Sequence, residues 1–327
     1  MTASNAAPRV VDADACERAV SEPELIEEIA NGFVAYSSGR VVVPPVGHLA
    51  LEDPQGDVHI KYGYVRGGGV FVIKVAAGVP ENAAQGLPTG DGCMLVFSRR
   101  TGLLLAVLLD RARLTDIRTA AAGAVAARAL GPRTLSCIGV IGSGVQARLQ
   151  PLMLRQVTTC RTVALWGRTR ARAAACATEL AAVGFRVELC ASADAVAQRS
   201  ELIVTTTTSR EPLFHASSVR PGTHITAVGA DAPGKQELDP ALFARADVVV
   251  ADSIAQCADH GDLAPALAAK TIALDRVREL GTVLADPALG RTTEAQITIA
   301  DLTGVAVQDI VVAEHVLRRL EASTPNS

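Results

Sequence analysis

A glycine-rich turn is the part of this sequence with the clearest chemical use. In the run Cys137-Ile-Gly-Val-Ile-Gly-Ser-Gly-Val-Gln-Ala147, an apolar segment leads directly into closely spaced glycines and a small residue. Glycine at a strand-to-helix turn lets backbone N–H groups approach a pyrophosphate, and the helix dipole stabilises the phosphates. We therefore predict a dinucleotide site here, with a purely structural turn as the alternative. The predicted contacts are Gly142, Ser143, Gly144, Val145 and Gln146.

The segment after the next predicted strand bears on which dinucleotide binds. An Asp or Glu normally ends this strand and binds the ribose diol of NAD. Here the segment reads Leu165-Trp-Gly-Arg-Thr169. Arg168 and Thr169 suit a ribose phosphate, because both can bind it and no carboxylate repels it. NADP is therefore the favoured cofactor and NAD the alternative. Arg168, Arg170 and Arg172 could instead form a solvated helix face with no such role.

Three ionisable residues are candidates for binding or proton transfer. Lys74 lies in an apolar strand segment, where an unpaired ammonium is costly and a bound carboxylate would explain it. Arg118 is expected to open an alanine-rich helix, and its guanidinium can hold a carboxylate through two hydrogen bonds. Asp231 follows a predicted strand, at the strand end where ligands collect in open α/β sheets. The structural alternatives are ion pairs for Lys74 and Arg118, and a turn or helix cap for Asp231.

The elements that must position these residues form two groups. Between Val41 and Leu109, short β-rich segments are separated by turns. Beyond Thr134, strands and helices alternate, which is typical of a parallel sheet with crossover helices. The sequence thus predicts an α/β fold in which a Rossmann dinucleotide-binding domain at residues 131–307 follows a β-rich α+β domain at residues 1–130. The pattern alone does not assign the C-terminal helix to either domain.

Composition limits the classes of partner. The 327 residues contain 31 basic and 34 acidic side chains, a net charge of −3 without long runs of one sign. This balance argues against nucleic-acid and membrane-surface partners and favours a small molecule. No apolar run reaches the length of a membrane span, so we expect a cytoplasmic protein. The seven cysteines show no metal-ligand spacing, and neither disulfides nor a metal site is predicted.

Five segments together resemble the ornithine cyclodeaminase/mu-crystallin family over nearly the whole chain. They are Phe71–Val75, Leu114–Ala121, Ile141–Ala147, Val228–Leu238 and Asp301–Asp309. The resemblance implies a homodimer in which the β-rich domain supplies substrate and dimer contacts and the C-terminal helix, 308–327, returns to that domain. Members interconvert L-amino acids and imino acids as cyclodeaminases, imine or ketimine reductases, or amino-acid dehydrogenases, and one is chiefly a thyroid-hormone binder.

The resemblance also implies roles for individual residues. Lys74 and Arg118 would contact the substrate α-carboxylate, with Lys74 placed at the reacting centre. Asp231 would be the catalytic carboxylate that holds the substrate amine and moves its proton. Further cofactor contacts implied by the resemblance are Thr205, Thr206, Thr207, Lys235 and Gly304.

One departure from the family pattern bears on the substrate. Many members carry a third carboxylate-binding arginine where this chain has Val43-Pro-Pro-Val-Gly-His48. Lys61, on the same strand face as His59, is a candidate replacement, and His59 aligns with a glutamate that binds the ornithine ammonium in the ornithine branch. Two basic residues disfavour ornithine and favour an added carboxylate. We therefore predict an NAD(P)H-dependent imine reductase or amino-acid dehydrogenase, with an acidic substrate such as iminosuccinate. The alternatives are a redox-neutral cyclodeaminase and a non-catalytic ligand binder.

Overall fold

The computed structural model describes residues 7–322. These residues divide into two compact units. We call them the terminal unit, which contains the residues up to Arg118 and those from Ala306, and the central unit, Thr119–Val305. The sequence placed the corresponding boundaries after residues 130 and 307. Within 7–322, no helix has both the length and the apolar character needed to cross a membrane.

The described residues form fifteen strands and eleven α-helices. The strands are β1 (Arg9–Asp12), β2 (Val41–Val42), β3 (Gly47–Glu52), β4 (Gln55–Val65), β5 (Val70–Gly78), β6 (Gly90–Ser98), β7 (Leu104–Leu109), β8 (Ile138–Ile141), β9 (Thr162–Trp166), β10 (Arg186–Leu189), β11 (Leu202–Thr205), β12 (His224–Ala227), β13 (Val248–Ala251), β14 (Val277–Glu279) and β15 (Thr298–Asp301). The helices are α1 (Ala13–Arg18), α2 (Glu22–Ser37), α3 (Arg113–Leu130), α4 (Val145–Leu154), α5 (Arg170–Ala182), α6 (Ala193–Arg199), α7 (Pro240–Arg245), α8 (Ile254–His260), α9 (Leu263–Ala268), α10 (Leu280–Ala285) and α11 (Ala306–Ala322). Short 3₁₀ helices lie at Pro80–Gln85, Ala216–Ser218, Leu274–Arg276 and Pro287–Leu289.

The described strands of the terminal unit form one largely antiparallel sheet in the order β1-β7-β6-β5-β4-β2, and β3 pairs with β4. Helix α11 packs against α2, β4 and β5. The register places Lys61 opposite Lys74 and His48 opposite His59. Because side chains alternate between the faces of a strand, all four residues belong to the same face of the sheet.

The central unit contains a parallel sheet in the order β10-β9-β8-β11-β12-β15-β13-β14 among its described strands. From β8 the chain builds β9 and β10 on one side and then crosses to β11 and β12 on the other, as in a Rossmann fold. The strand order therefore reverses beside the carboxyl ends of β8 and β11, where such folds bind their ligands. The predicted α/β class and the Rossmann sheet are confirmed.

One sequence prediction about the elements is wrong, and one question that the sequence pattern left open is answered. Helix α3 begins at Arg113, so Arg118 lies in its second turn and does not open it. The segment whose domain the pattern left open is divided: β15 pairs with β12 and β13 in the central sheet, whereas α11 belongs to the terminal unit. A short buried strand followed by an amphipathic helix gives no local signal of this division, because it depends on long-range pairing.

Candidate active site

The glycine turn joins β8 to α4 in a geometry that requires glycine. Gly142 has a φ of +139°, and a Cβ built there would lie 2.2 Å from Thr206 Oγ1. Its N–H donates to the carbonyl of Trp166 at 2.9 Å, which ties the turn to the end of β9. Gly144 is the N-cap of α4 and makes no side-chain capping bond, so the first turn of α4 suits an anion such as phosphate.

A cavity of about 290 Å³ opens at this turn. It gathers residues from the carboxyl ends of β8, β9 and β11. The predicted cofactor residues that line it are Gly142, Ser143, Gly144, Arg168, Thr169, Thr206 and Thr207. Trp166 and Arg172 line it too, and none of its described lining residues is a carboxylate. Backbone amides, hydroxyls and two guanidinium groups form a donor set that fits the phosphates of a dinucleotide.

Five other residues predicted to bind the cofactor do not line this cavity. Val145 is exposed at the start of α4, and Gln146 Oε1 accepts a hydrogen bond from Gln150 Nε2 at 3.2 Å. Thr205 is fully buried and its hydroxyl donates to Glu237. Lys235 pairs with Asp231, and the Gly304 N–H donates a hydrogen bond to Asp252 at 2.7 Å. The strand-end and loop positions were predicted, but the direction of each polar group was not.

Glu237 is a buried residue whose role sequence reasoning missed. Its Oε2 accepts from Thr205 Oγ1 at 2.6 Å and from the Gly229 N–H at 2.7 Å, while its Oε1 accepts from the Thr207 N–H at 2.5 Å. These bonds join the carboxyl ends of β11 and β12. Burial, with the nearby Asp262 carboxylate, raises the pKa of Glu237 to about 7. Glu237 lies in the family segment Val228–Leu238, which was the one indication of its importance in the sequence. Only the fold shows that its carboxylate joins the ends of β11 and β12.

Asp231 follows β12 on the loop that Glu237 anchors through Gly229. Its side chain is half-exposed, and its Oδ1 lies 2.5 Å from Lys235 Nζ. The predicted catalytic carboxylate and a predicted cofactor residue therefore form an ion pair with each other. The loop therefore presents a carboxylate, a group that can accept a proton or hold a substrate ammonium.

In the terminal unit, Lys74 and Arg118 converge on a residue of α11 that the sequence analysis did not single out. Lys74 Nζ and Arg118 Nε both lie 3.1 Å from Asp309 Oδ1, and Arg118 Nη1 donates to Gln308 Oε1 at 2.9 Å. All three charged side chains are almost fully buried. The ion-pair interpretation of Lys74 and Arg118 is thus correct, and it coexists with any binding role. Asp309 ends one of the family segments, but its partners are distant in the sequence.

Charged side chains of both signs act on Lys74. Burial lowers the pKa of Lys74 to about 8 against the opposing effect of Asp309, and the Arg118 and Lys61 charges lower it further. Burial raises the pKa of Asp309, but the Lys74 and Arg118 charges outweigh it and hold that pKa below its usual value. Buried Asp110 also interacts with Lys74, and burial raises its pKa to about 6. Lys61 and Arg118 thus add positive charge beside Lys74, and Asp309 and Asp110 add negative charge. We call Lys61, Lys74, Arg118 and Asp309 the Lys74 cluster.

His59 lies beside this cluster on the same sheet face. Its Nε2 is 3.0 Å from Asp57 Oδ2, and its ring packs against that of His48 with centroids 5.1 Å apart. Lys61, directly opposite Lys74, is half-buried. The structure therefore brings the predicted substrate residues Lys61, Lys74, Arg118 and His59 to one region of the terminal unit. Asp231 belongs to the central unit.

Sequence comparison gives a family and named relatives. The profile of the ornithine cyclodeaminase/mu-crystallin family matches residues 9–324. An uncharacterized cyclodeaminase of Sinorhizobium fredii is 42% identical and the match covers 88% of this chain and 87% of the relative. The iminosuccinate reductase of Paracoccus denitrificans is 36% identical over 90% of each chain.

Solved structures give the same picture. The iminosuccinate reductase of Paracoccus denitrificans in complex with NAD⁺ superposes with a TM-score of 0.87 at 32% identity, covering 96% of this chain and 97% of that chain. An archaeal alanine dehydrogenase dimer with bound NAD superposes with a TM-score of 0.89 at 31% identity, covering 98% of both chains.

Proposed function

Since the chain belongs to the ornithine cyclodeaminase/mu-crystallin family and is an NAD(P)-dependent oxidoreductase acting on C–N groups, we propose that it reduces an α-imino acid with an acidic side chain to the L-amino acid. The observation that carries the proposal is the convergence of buried Lys74 and Arg118 on Asp309, with Lys61 and His59 on the same sheet face as Lys74.

The Lys74 cluster supports binding of an α-carboxylate. Asp309 neutralises one of its cations, and the buried site around it keeps the interactions of the others strong. A substrate carboxylate would therefore interact strongly with Lys74 and Arg118. Arg118, held by Asp309 and Gln308, is fixed in orientation, which favours hydrogen bonding in a defined geometry.

Lys61 and His59 support an additional carboxylate in the substrate side chain. Both stand on the face that carries Lys74, and an ornithine ammonium would meet like charge from Lys61. The similarity to iminosuccinate reductase agrees with this preference, because iminosuccinate carries a second carboxylate. Iminosuccinate is therefore the substrate that we propose to test first.

Each predicted residue has a proposed role in the reaction. A nicotinamide cofactor supplies the hydride, and the glycine turn, Arg168 and Thr169 would hold it. In the proposed roles, Lys74, with a pKa of about 8, keeps a proton near neutral pH and can share it with the substrate. Asp231, paired with Lys235, would stabilise the protonated imine nitrogen. The carbon bonded to that nitrogen would accept the hydride. The net change is one hydride and one proton added across the C=N bond.

NADP is the cofactor we propose as preferred, with NAD as the alternative. The cavity lining combines Arg168, Arg172 and Thr169, and no carboxylate is among its described residues. A ribose phosphate would find two guanidinium partners there, whereas the diol of NAD would lack its usual acidic acceptor. The relatives with bound NAD make the comparison of the two cofactors a necessary part of the assay.

We further propose a homodimer formed through the sheet of the terminal unit. The face opposite Lys74 exposes large apolar side chains, and the row Val10–Val107–Leu95–Ile73–Tyr62 crosses it in register. The exposed large apolar residues on this face are Val10, Leu49, Ile60, Tyr62, Leu105 and Leu109. A contiguous apolar surface of this kind is typical of a subunit interface. Analytical ultracentrifugation should give a dimer, and Leu109→Glu should shift it towards monomer.

The decisive experiment is an imine-reduction assay. Oxaloacetate is mixed with ammonia to form the imino acid with an acidic side chain, and pyruvate is mixed with ammonia to form the imino acid with an uncharged side chain. Oxidation of NADPH or NADH is followed in each case. We expect the highest kcat/KM with the acidic substrate and NADPH. Conversion of ornithine to proline without net cofactor consumption would instead establish the cyclodeaminase activity that the Sinorhizobium relative's name suggests. Tight ligand binding without any turnover would establish a binding protein.

A further inference from the structure

Three side chains of the β3–β4 hairpin bring metal-ligating atoms together. His48 on β3 lies opposite His59 on β4, and Asp57 is two residues from His59 on the same face. One donor atom from each of these residues lies within 4.8 Å of the other two. Their spacing in the sequence matches no metal motif, which is why the sequence analysis predicted no metal site. The hairpin register creates the cluster.

The distances suit a small ion with nitrogen and oxygen ligands. Zinc binds histidine nitrogen and carboxylate oxygen at about 2.0–2.1 Å, so two ligands of a tetrahedral ion lie about 3.3 Å apart. His59 Nε2 and Asp57 Oδ2 are 3.0 Å apart, close to that separation. His48 is exposed, so its side chain can rotate towards the other two without repacking a core.

We propose that His48, Asp57 and His59 form a binding site for a divalent transition-metal ion of the zinc type. Two imidazoles and one carboxylate favour zinc, copper or nickel over magnesium and calcium, which prefer oxygen ligands. Three protein ligands leave a tetrahedral ion one position for water or for a carboxylate oxygen. Lys61, two residues from His59 on the same face, opposes the cation and moderates its affinity.

A second group of similar composition has ligand atoms that already bind partners outside the group. Glu24, Glu28 and His315 also bring their ligand atoms within 4.8 Å of one another. There, however, His315 Nδ1 lies 3.1 Å from Glu28 and its Nε2 accepts the Ser21 N–H at 3.0 Å. Arg318 pairs with Glu28, and Arg319 pairs with Glu24. Both ring nitrogens of His315 are engaged and arginine cations hold both carboxylates, so a metal ion would have to displace partners from outside the group, and this group carries no proposal. In the hairpin, by contrast, the His59–Asp57 hydrogen bond joins two of the proposed ligands to each other.

The test measures metal binding to the full-length chain, produced without a histidine tag and stripped with a chelator. Zn²⁺ is titrated by calorimetry, and Co²⁺ by its visible absorption. We expect one ion per chain and a Kd raised at least about tenfold by His48→Ala or His59→Ala, as loss of a metal-site residue generally does. Asp57→Asn should weaken binding to a smaller extent. The double variant His48→Ala/His59→Ala should lose the Co²⁺ absorption.

Two variants complete the design. His260→Ala is the matched control, because His260 Nδ1 lies 2.9 Å from Asp259 without a third ligand, and zinc binding should be unchanged. His48→Gln/His59→Gln preserves side-chain size if the alanine pair fails to fold by circular dichroism. Unchanged zinc affinity in the folded double variant, or no zinc binding by the wild-type chain, would overturn the proposal. Substrate is absent throughout, so the outcome is independent of the proposed reductase activity.

Discussion

The glycine turn of the central unit and the Lys74 cluster of the terminal unit are built from different kinds of information. The turn is contiguous in sequence, and its backbone N–H groups are the ones that would bind the phosphates. The Lys74 cluster joins residues more than 180 positions apart, through side chains alone. The first can therefore be recognised as a local pattern, whereas the second exists only once α11 returns to the sheet of β4 and β5.

Among the proposed substitutions, removal of the Asp309 carboxylate, which Lys74 and Arg118 share, should have the largest effect. Asp309→Asn leaves Lys74 and Arg118 buried without their common anion, and we expect a loss of about 3–5 kcal/mol in the free energy of unfolding. Urea denaturation measures it. Asp14→Asn is the control, since Asp14 pairs with Arg113 in solvent and its loss should change the free energy of unfolding far less. Equal costs for the two variants would show that the Lys74 cluster is no more critical than a surface ion pair.

The equivalent test of the central unit changes one backbone position. Gly142→Ala would force a Cβ against Thr206 and a strained φ, so we expect NADPH binding to weaken on the order of 100-fold. Fluorescence titration measures it. Gly69→Ala, in the turn between β4 and β5, meets no atom within 4 Å and lies outside the cavity lining, so its NADPH Kd should be unchanged. A normal NADPH Kd in folded Gly142→Ala would contradict the role of the turn.

Glu237 shows that the central unit, like the Lys74 cluster, also contains a buried side chain that joins separate segments of the chain. Three donors converge on its two oxygens, whereas the amide of Glu237→Gln offers one acceptor and turns an NH₂ towards a donor. We expect a loss of about 1–3 kcal/mol in stability and a higher KM for NADPH. Glu188→Gln, at an exposed pair with Arg199, is the matched control. A stability loss with unchanged KM and kcat would limit Glu237 to a structural role.

These cases show how far the sequence alone could lead. It predicted the Rossmann sheet, the glycine turn and the basic residues after β9, because each is encoded within a few neighbouring residues. It also identified Lys74 from a charge in an apolar strand. It could not identify Asp309 as the partner, Glu237 as the link between strands, or the inward direction of Thr205, because these depend on which segments pair in space. The assigned roles, the cytoplasmic location and the dimer stay predictions.

The pKa of Lys74 gives a test in which stability and activity change in opposite directions. Burial lowers this pKa from 10.5 to about 8, so between these values the unfolded chain holds the proton more tightly than the folded chain. The contribution of Lys74 to stability therefore rises with pH across that window. Activity that needs the protonated amine should fall up to tenfold per pH unit above about 8. Lys74→Arg stays protonated and should lose this alkaline limb in kcat/KM; an unchanged limb would assign it to another group.

The smallest expected effect concerns the choice between NADPH and NADH. Arg168 lines the cavity and is exposed, so its hydrogen bonds to a ribose phosphate compete with water and are worth about 1.5 kcal/mol. Arg168→Ala should therefore lower kcat/KM for NADPH about tenfold and leave that for NADH nearly unchanged. Arg170→Ala is the matched control, because Arg170 is exposed two residues away but does not line the cavity. Equal losses with both cofactors would mean that Arg168 contacts a part they share, such as the pyrophosphate. The cofactor preference would then have to come from Arg172 or Thr169, and the local sequence pattern would have identified the cavity but assigned its specificity to the wrong side chain.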